Sequence, residues 1–214
     1  MTTLIDRIPD ISSEEIERVR RPLNDAYTLP PRAYLSEEIF ALEETQIMRK
    51  SWIPLARVDQ IGEPGQYMSL DLLGQPVMVV HGTDGEFRVM SRVCLHRAAP
   101  IAEGNGKRKL FTCPYHAWSY DTTGQLIRAP LMDGADGFSE KDCKLPQIKT
   151  GIWNGFILAK LDPEAEPFAP QVADYSDYFE NFKLDDMVVT KTLEFDSPWN
   201  WKVLVENFME AYHH

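Results

Sequence analysis

Cys94-Leu95-His96 and Cys113-Pro114-Tyr115-His116 are separated by sixteen residues. Two of the three cysteines and two of the five histidines therefore fall into one paired pattern. Each pair lies beside a segment expected to be a strand, so two facing loops would offer two thiolates and two imidazoles. A tetrahedral zinc could take all four, as in a structural zinc-ribbon-like module, but zinc sites usually pair Cys with Cys and His with His. One of each per loop suits two metal centres shared between the loops. Cys94 and Cys113 would then hold one iron and His96 and His116 the other, with two sulfides bridging them. A second pair, Glu210-x-x-His213, would share one face of a helix. That spacing is also met in di-iron bundles and around ordinary buried histidines.

The elements that must position these residues read as follows. A helix is expected over residues 12–27, where Ser12 and Glu15 form a capping box and Ile16, Val19 and Leu23 one apolar stripe, ended by Leu29-Pro30-Pro31. Another is expected over Ser36–Lys50, with Ile39, Leu42 and Ile47 buried. From Trp52 onward, short apolar runs alternate with Gly, Pro and Asp turns: 52–58, 67–72, 76–81 and 87–92. This spacing predicts a small antiparallel β structure. A hairpin follows over 117–129, and a strand or strand pair over 152–161. Asp162-Pro163-Glu164-Ala165-Glu166-Pro167 reads as a connector and the domain boundary. Beyond it, 171–182 reads as helix, 188–195 as an alternating strand, and 201–213 as an amphipathic helix.

Cys94-Leu95-His96-Arg97, with Phe111-Thr112-Cys113-Pro114-Tyr115-His116-Ala117-Trp118-Ser119-Tyr120, resembles the Rieske domain of the non-haem iron ring-hydroxylating oxygenases, in their large (α) subunits. Residues 38–58 resemble the lead-in to that domain. Asn200-Trp201-Lys202 through Glu206-Asn207-Phe208-Met209-Glu210-Ala211-Tyr212-His213 looks like the start of their mononuclear iron site. The resemblance implies an α+β chain in three parts: N-terminal helices (1–50), a Rieske [2Fe–2S] domain (51–161), and the incomplete beginning of a helix-grip catalytic domain (162–214). It implies that Cys94, His96, Cys113 and His116 bind the cluster. His213 would be the first ligand of a two-histidine, one-carboxylate Fe(II) site, and Glu210 the acid bridging a neighbouring subunit's cluster histidine to that iron. The remaining iron ligands should follow beyond His214, which itself points about 100° away from His213 on a helix. The chain is thus expected to be the N-terminal part of an α subunit.

The implied activity is that of an oxygenase component. An NAD(P)H-dependent reductase, with or without a ferredoxin, would feed the cluster, and O₂ would hydroxylate a small organic, aromatic substrate. A homotrimer is implied, with or without a small β subunit. The alternative is a stand-alone Rieske electron carrier. Some relatives act instead on quaternary amines such as choline or carnitine. Ala99 and Tyr115 stand where high-potential Rieske proteins carry a disulfide, and Trp118 where they carry a hydroxyl donor. A potential toward the lower end of the Rieske range is therefore expected, with Tyr120 as a remaining donor.

The rest of the sequence sets bounds. A net charge of −11 argues against nucleic acid or an anionic membrane as partner. Apolar runs such as Val77–Val80 are too short to span a bilayer, and Met1–Arg7 lacks the pattern of a leader. Three cysteines fit a reduced, cytoplasmic setting better than a disulfide framework. His81, Trp153, Trp199 and Trp201 read as structural, and Cys143, matching no ligand spacing, as a free thiol. Gly104-Asn105-Gly106 with Lys107, Arg108 and Lys109 reads as a solvated turn, with a basic tip suited to an acidic partner.

Overall fold

Residues 8–210 are described by a computed structural model; readings that fall on Met1–Arg7 or on 211–214, His213 and His214 included, lie outside the described residues. The chain divides into two compact units: 49–191, and the first 48 residues together with 192–214.

The larger unit is antiparallel β. Its ten strands are β1 (Ile53–Arg57), β2 (Gln66–Leu72), β3 (Gln75–His81), β4 (Phe87–Ser91), β5 (Asn105–Lys107), β6 (Leu110–Thr112), β7 (Ser119–Asp121), β8 (Leu126–Arg128), β9 (Gln147–Trp153) and β10 (Phe156–Lys160). Seven form a sheet in the order β1-β10-β9-β4-β3-β2-β5, and β6-β7-β8 form a second. The four runs predicted after Trp52 become β1 to β4, because turn residues bound each one. β3 is apolar at every position from Val77 to Val80 because it is covered on both faces. Met78 and Val80 join a core with Cys94, Phe111, Cys113, Trp118 and Tyr120. Val77 and Val79 join another with Ile61, Val89 and Ile157. The first of these cores carries the paired cysteines.

Several expectations are corrected. Of the strand or strand pair expected over 152–161, the pair is found, as the hairpin β9–β10, but it starts earlier, at Gln147, and turns at Asn154-Gly155 (φ 48° and 77°). Such a left-handed pair matches the twist of the strands it joins. In place of a turn over Gly104–Gly106, Asn105–Lys107 form strand β5, paired with β2 through Tyr67 and Gly106. The boundary after Leu161 also shifts. Phe168 packs edge-on against Trp52 and Trp153, and Arg57 holds the carbonyls of Leu184 and Met187, so 162–191 belong with the β unit. Residues 171–182 are short pieces, α4 (Phe168–Gln171), a 3₁₀ turn (Ala173–Tyr175) and α5 (Ser176–Glu180), rather than one helix. Residues 188–195 form no strand; with Val188, Leu193 and Phe195 exposed, they have no neighbouring edge among the described residues.

In the smaller unit, α1 (Ser13–Val19) carries the expected capping box on Ser12 and Glu15. It ends eight residues early, at Val19, because the position before Pro22 disfavours helix, and Leu23 is exposed. After α2 (Arg32–Leu35), α3 (Glu37–Gln46) is capped by Ser36 and buries Ile39 and Glu43, whereas Ile47 is exposed. The last helix, α6 (Trp201–Met209), is capped by Asn200. It stops before Glu210, whose backbone is extended (φ −100°, ψ 142°), so one shared helical face for Glu210 and His213 is not supported.

Candidate metal centre

Two loops carry the paired residues: 92–104, between β4 and β5, and 113–118, between β6 and β7. They close in the same way. The Cys94 N–H donates to Ala99 O at 2.9 Å and the Ala98 N–H to Cys94 O at 3.0 Å. The Cys113 N–H donates to Trp118 O at 2.8 Å and the Ala117 N–H to Cys113 O at 3.0 Å. Each loop therefore turns back four and five residues after its cysteine. It does so through a left-handed alanine, Ala98 (φ 53°) and Ala117 (φ 58°), a conformation uncommon for a residue with a Cβ. Such strain persists only where the surroundings enforce it, and it clusters at functional sites.

The donors separate by type. Cys94 and Cys113 are buried (2% and 3% exposed), whereas His96 and His116 face solvent. The two imidazoles sit 4.7 Å apart between ring centroids, nearly perpendicular. Among the described residues no group of three His, Cys, Asp or Glu side chains gathers around one point. A thiolate pair inside and an imidazole pair outside is the donor set of a two-iron cluster with mixed ligation, and these residues fit it.

Polar and aromatic neighbours set the environment. The Leu95 N–H donates to the Tyr120 hydroxyl at 3.0 Å, and that hydroxyl lies 3.4 Å from Cys94 Sγ. Burial, and then the Cys94 sulfur, push the Tyr120 phenol pKa up, so it stays a protonated donor. Burial also raises the Cys113 thiol, against the backbone N–H groups of Tyr115 and His116 that favour its thiolate. A metal cation would complete that stabilisation. Trp118, expected only as a missing hydroxyl, stacks on His96 at 5.0 Å and 11°. Phe138, absent from the sequence reading, tilts against the indole at 5.6 Å. Neither contact has a local sequence signal, since both depend on how the loops fold back.

Of the residues expected to be structural, His81, Trp153 and Trp201 are packed or hydrogen-bonded, whereas Trp199 is 54% exposed. His81 is buried, with Nδ1 2.9 Å from Ile61 O and its ring stacked on Phe87. Cys143 is half-buried against the core that holds Cys94. Trp153 packs against Phe168 and Phe179. The basic tip is partly engaged: Lys107 pairs with Glu63 at 2.7 Å, and Arg108 lies over the Tyr67 ring. Glu210 is placed at the end of α6, whereas His213 lies outside the described residues. No described helix is long and apolar enough to cross a membrane.

Residues 51–148 match the family described as "Rieske [2Fe-2S] domain", and residues 184–214 match "Ring hydroxylating alpha subunit (catalytic domain)". The chain is 31% identical over 196 residues to the carnitine monooxygenase oxygenase subunit of Acinetobacter baumannii, covering 88% of this chain and 52% of that protein. It thus spans about half the length of the curated relatives it matches. Its fold is similar (TM-score 0.82, 29% identity, 88% of this chain and 52% of the other) to a quaternary ammonium Rieske monooxygenase described in terms of carnitine oxidation and inter-subunit electron transfer. It is also similar (TM-score 0.80, 27% identity, 94% and 49% covered) to naphthalene 1,2-dioxygenase from Rhodococcus sp. bound to indole.

Proposed function

The chain belongs to the Rieske ring-hydroxylating oxygenase α subunits, and from that premise we propose that it acts in the oxygenase component of a Rieske non-haem iron oxygenase. The carrying observation is the split donor set. Cys94 and Cys113 are buried in the core and would hold one iron, and His96 and His116 lie exposed with ring centroids 4.7 Å apart and would hold the other. When bound, the [2Fe–2S] cluster accepts and passes single electrons, and a mononuclear Fe(II) supplies O₂ activation. The protein groups do the rest. The core around Cys94 and Cys113 keeps water from the sulfurs, Tyr120 directs a proton toward one of them, and the exposed imidazole edges form the contact through which a donor or acceptor must approach. By the family resemblance, Glu210 would link a neighbouring subunit's cluster histidine to the mononuclear iron, and His213 would be one of the residues holding that iron. Electrons come from an NAD(P)H-dependent reductase, with or without a ferredoxin, in a cytoplasmic homotrimer with or without a small β subunit.

For substrate, the expected aromatic ring gives way to a small quaternary ammonium compound, supported by the relatives that act on such molecules. A stand-alone carrier is disfavoured by the match of 184–214 to a catalytic domain. The test is iron and acid-labile sulfide content with the visible spectrum, followed by reductase-driven turnover of L-carnitine, choline and naphthalene. Cys94→Ser or Cys113→Ser in folded protein should lose colour and sulfide; retention of both refutes the cluster assignment. Turnover of naphthalene alone would refute the substrate assignment, and a cluster without any turnover would favour the carrier.

A further inference from the structure

Glu43 is a carboxylate inside a helix interface, 9% exposed. It meets α6 at two points: Trp201 Nε1–H donates to Oε2 at 2.9 Å, and Lys202 Nζ donates to Oε1. The Lys202 side chain is itself only 13% exposed and lies 5.5 Å over the Tyr34 ring. One turn on, the Tyr34 hydroxyl donates to both carboxylate oxygens of Glu206, at 2.8 and 3.0 Å. Burial, and then the Glu206 carboxylate, push Tyr34 up to about 12, so it remains a donor through the neutral range.

Lys202 and Glu206 are four apart and share a row of α6, which ends at Met209 immediately before Glu210. The Glu210 N–H still bonds Glu206 O at 3.2 Å. Glu206 is thus held by Tyr34 through its side chain and holds Glu210 through its carbonyl. An apolar row alone would tolerate sliding, whereas a buried charge pair accepts a single register, the best-attested use of such pairs. A slip of one residue would turn the helix by about 100°.

We propose that Glu43 and Tyr34 are positioning residues for the mononuclear iron site: by fixing the rotation and height of α6 they set where Glu210 is presented. This rests on the roles assigned above to Glu210 and His213. The N-terminal helices, bland in sequence, then belong functionally to the helix that enters the catalytic part.

The test uses the full chain loaded with cluster and iron. In Glu43→Gln, Lys202 is left buried without its counter-charge, and amide exchange over 204–209 should rise about tenfold or more. Mononuclear iron per cluster should fall several-fold and the nitric oxide adduct's EPR signal should broaden, while the cluster's visible spectrum stays as it was. Tyr34→Phe, a milder change that keeps the packing, should move the same readouts in the same direction. Unchanged exchange in both variants overturns the clamp. Faster exchange with unchanged iron content and EPR signal overturns positioning and leaves a merely structural contact. His213→Ala, made separately, examines the underlying reading. If that variant keeps its iron, the reading falls and the proposal with it.

Discussion

At the scale of single residues, Tyr120 links the two cluster loops. Its hydroxyl accepts from the Leu95 N–H of the first loop while it stands 3.4 Å from Cys94 Sγ. Tyr120→Phe keeps the ring in the core but removes both contacts. The fold should lose about 1 kcal/mol, read from denaturant unfolding. The cluster potential should fall, because a donor that stabilised the more negative reduced form is gone; redox titration reads this. Trp118 is a second case. Trp118→Leu removes the plane lying on His96 and should alter the histidine nitrogen couplings seen by pulsed EPR, whereas Trp118→Phe should preserve them. The facing of the two loops was legible in the sequence, because two Cys-and-His pairs at that spacing suggest a shared site, and the structure sets His96 and His116 side by side with both cysteines buried. The Trp118 stack was not, since a ring's orientation is decided by the folded loop, not by its neighbours in sequence.

Among elements, the β9–β10 turn and the 184–189 segment at the end of the β unit are joined by one guanidinium. Arg57 Nη2 donates to Leu184 O at 2.6 Å and Met187 O at 2.7 Å, Nη1 donates to Asn154 O at 3.3 Å, and the group lies 4.6 Å over the Phe156 ring. Asp59, beside it, accepts from the Val189 N–H at 2.8 Å. Gly155 permits this approach, for a Cβ there would stand 2.5 Å from Arg57 Nη2. Gly155→Ala combines that clash with a left-handed backbone. It should cost about 1–2 kcal/mol or more in thermal unfolding and should speed limited proteolysis within 184–191. The β3–β4 turn carries an acid-sensitive contact. Arg88 hydrogen-bonds Asp84 and holds its carboxyl at about 2, below the 3.8 of the free group. The folded pKa is depressed, so the stabilisation is complete above about pH 4 and fades as the pH drops toward 2. In an acid titration of stability, Asp84→Asn should remove the part of the decline in that window. Most strands were readable from period-two runs between turn residues. The alternation at 188–195 misled, because a pattern marks a possible strand and only a paired edge makes one.

Taken whole, the chain keeps its acidic surface and its two compact units. The division was hidden from the sequence because it is discontinuous: contacts such as Glu43 with Trp201 join positions 158 residues apart, and no local composition marks them. Since Cys94 and Cys113 are part of the core formed with Met78, Phe111 and Tyr120, stripping iron and sulfide should loosen that core from within. Calorimetry of stripped protein should show the β unit unfolding several degrees lower, and amides of β3 and β7 should exchange faster.

With the cluster held as proposed, the asymmetry between hidden sulfur and bare imidazole would give the redox centre an exposed terminal. Charge entering or leaving would then cross the His96–His116 edge, while an encounter on the far side would meet an insulating wall of packed hydrocarbon. Substitutions that thin the wall at Phe111 or Met78 would then show themselves as leakage, with stray reduction of dioxygen to superoxide and peroxide while the spectrum of the resting centre looks ordinary.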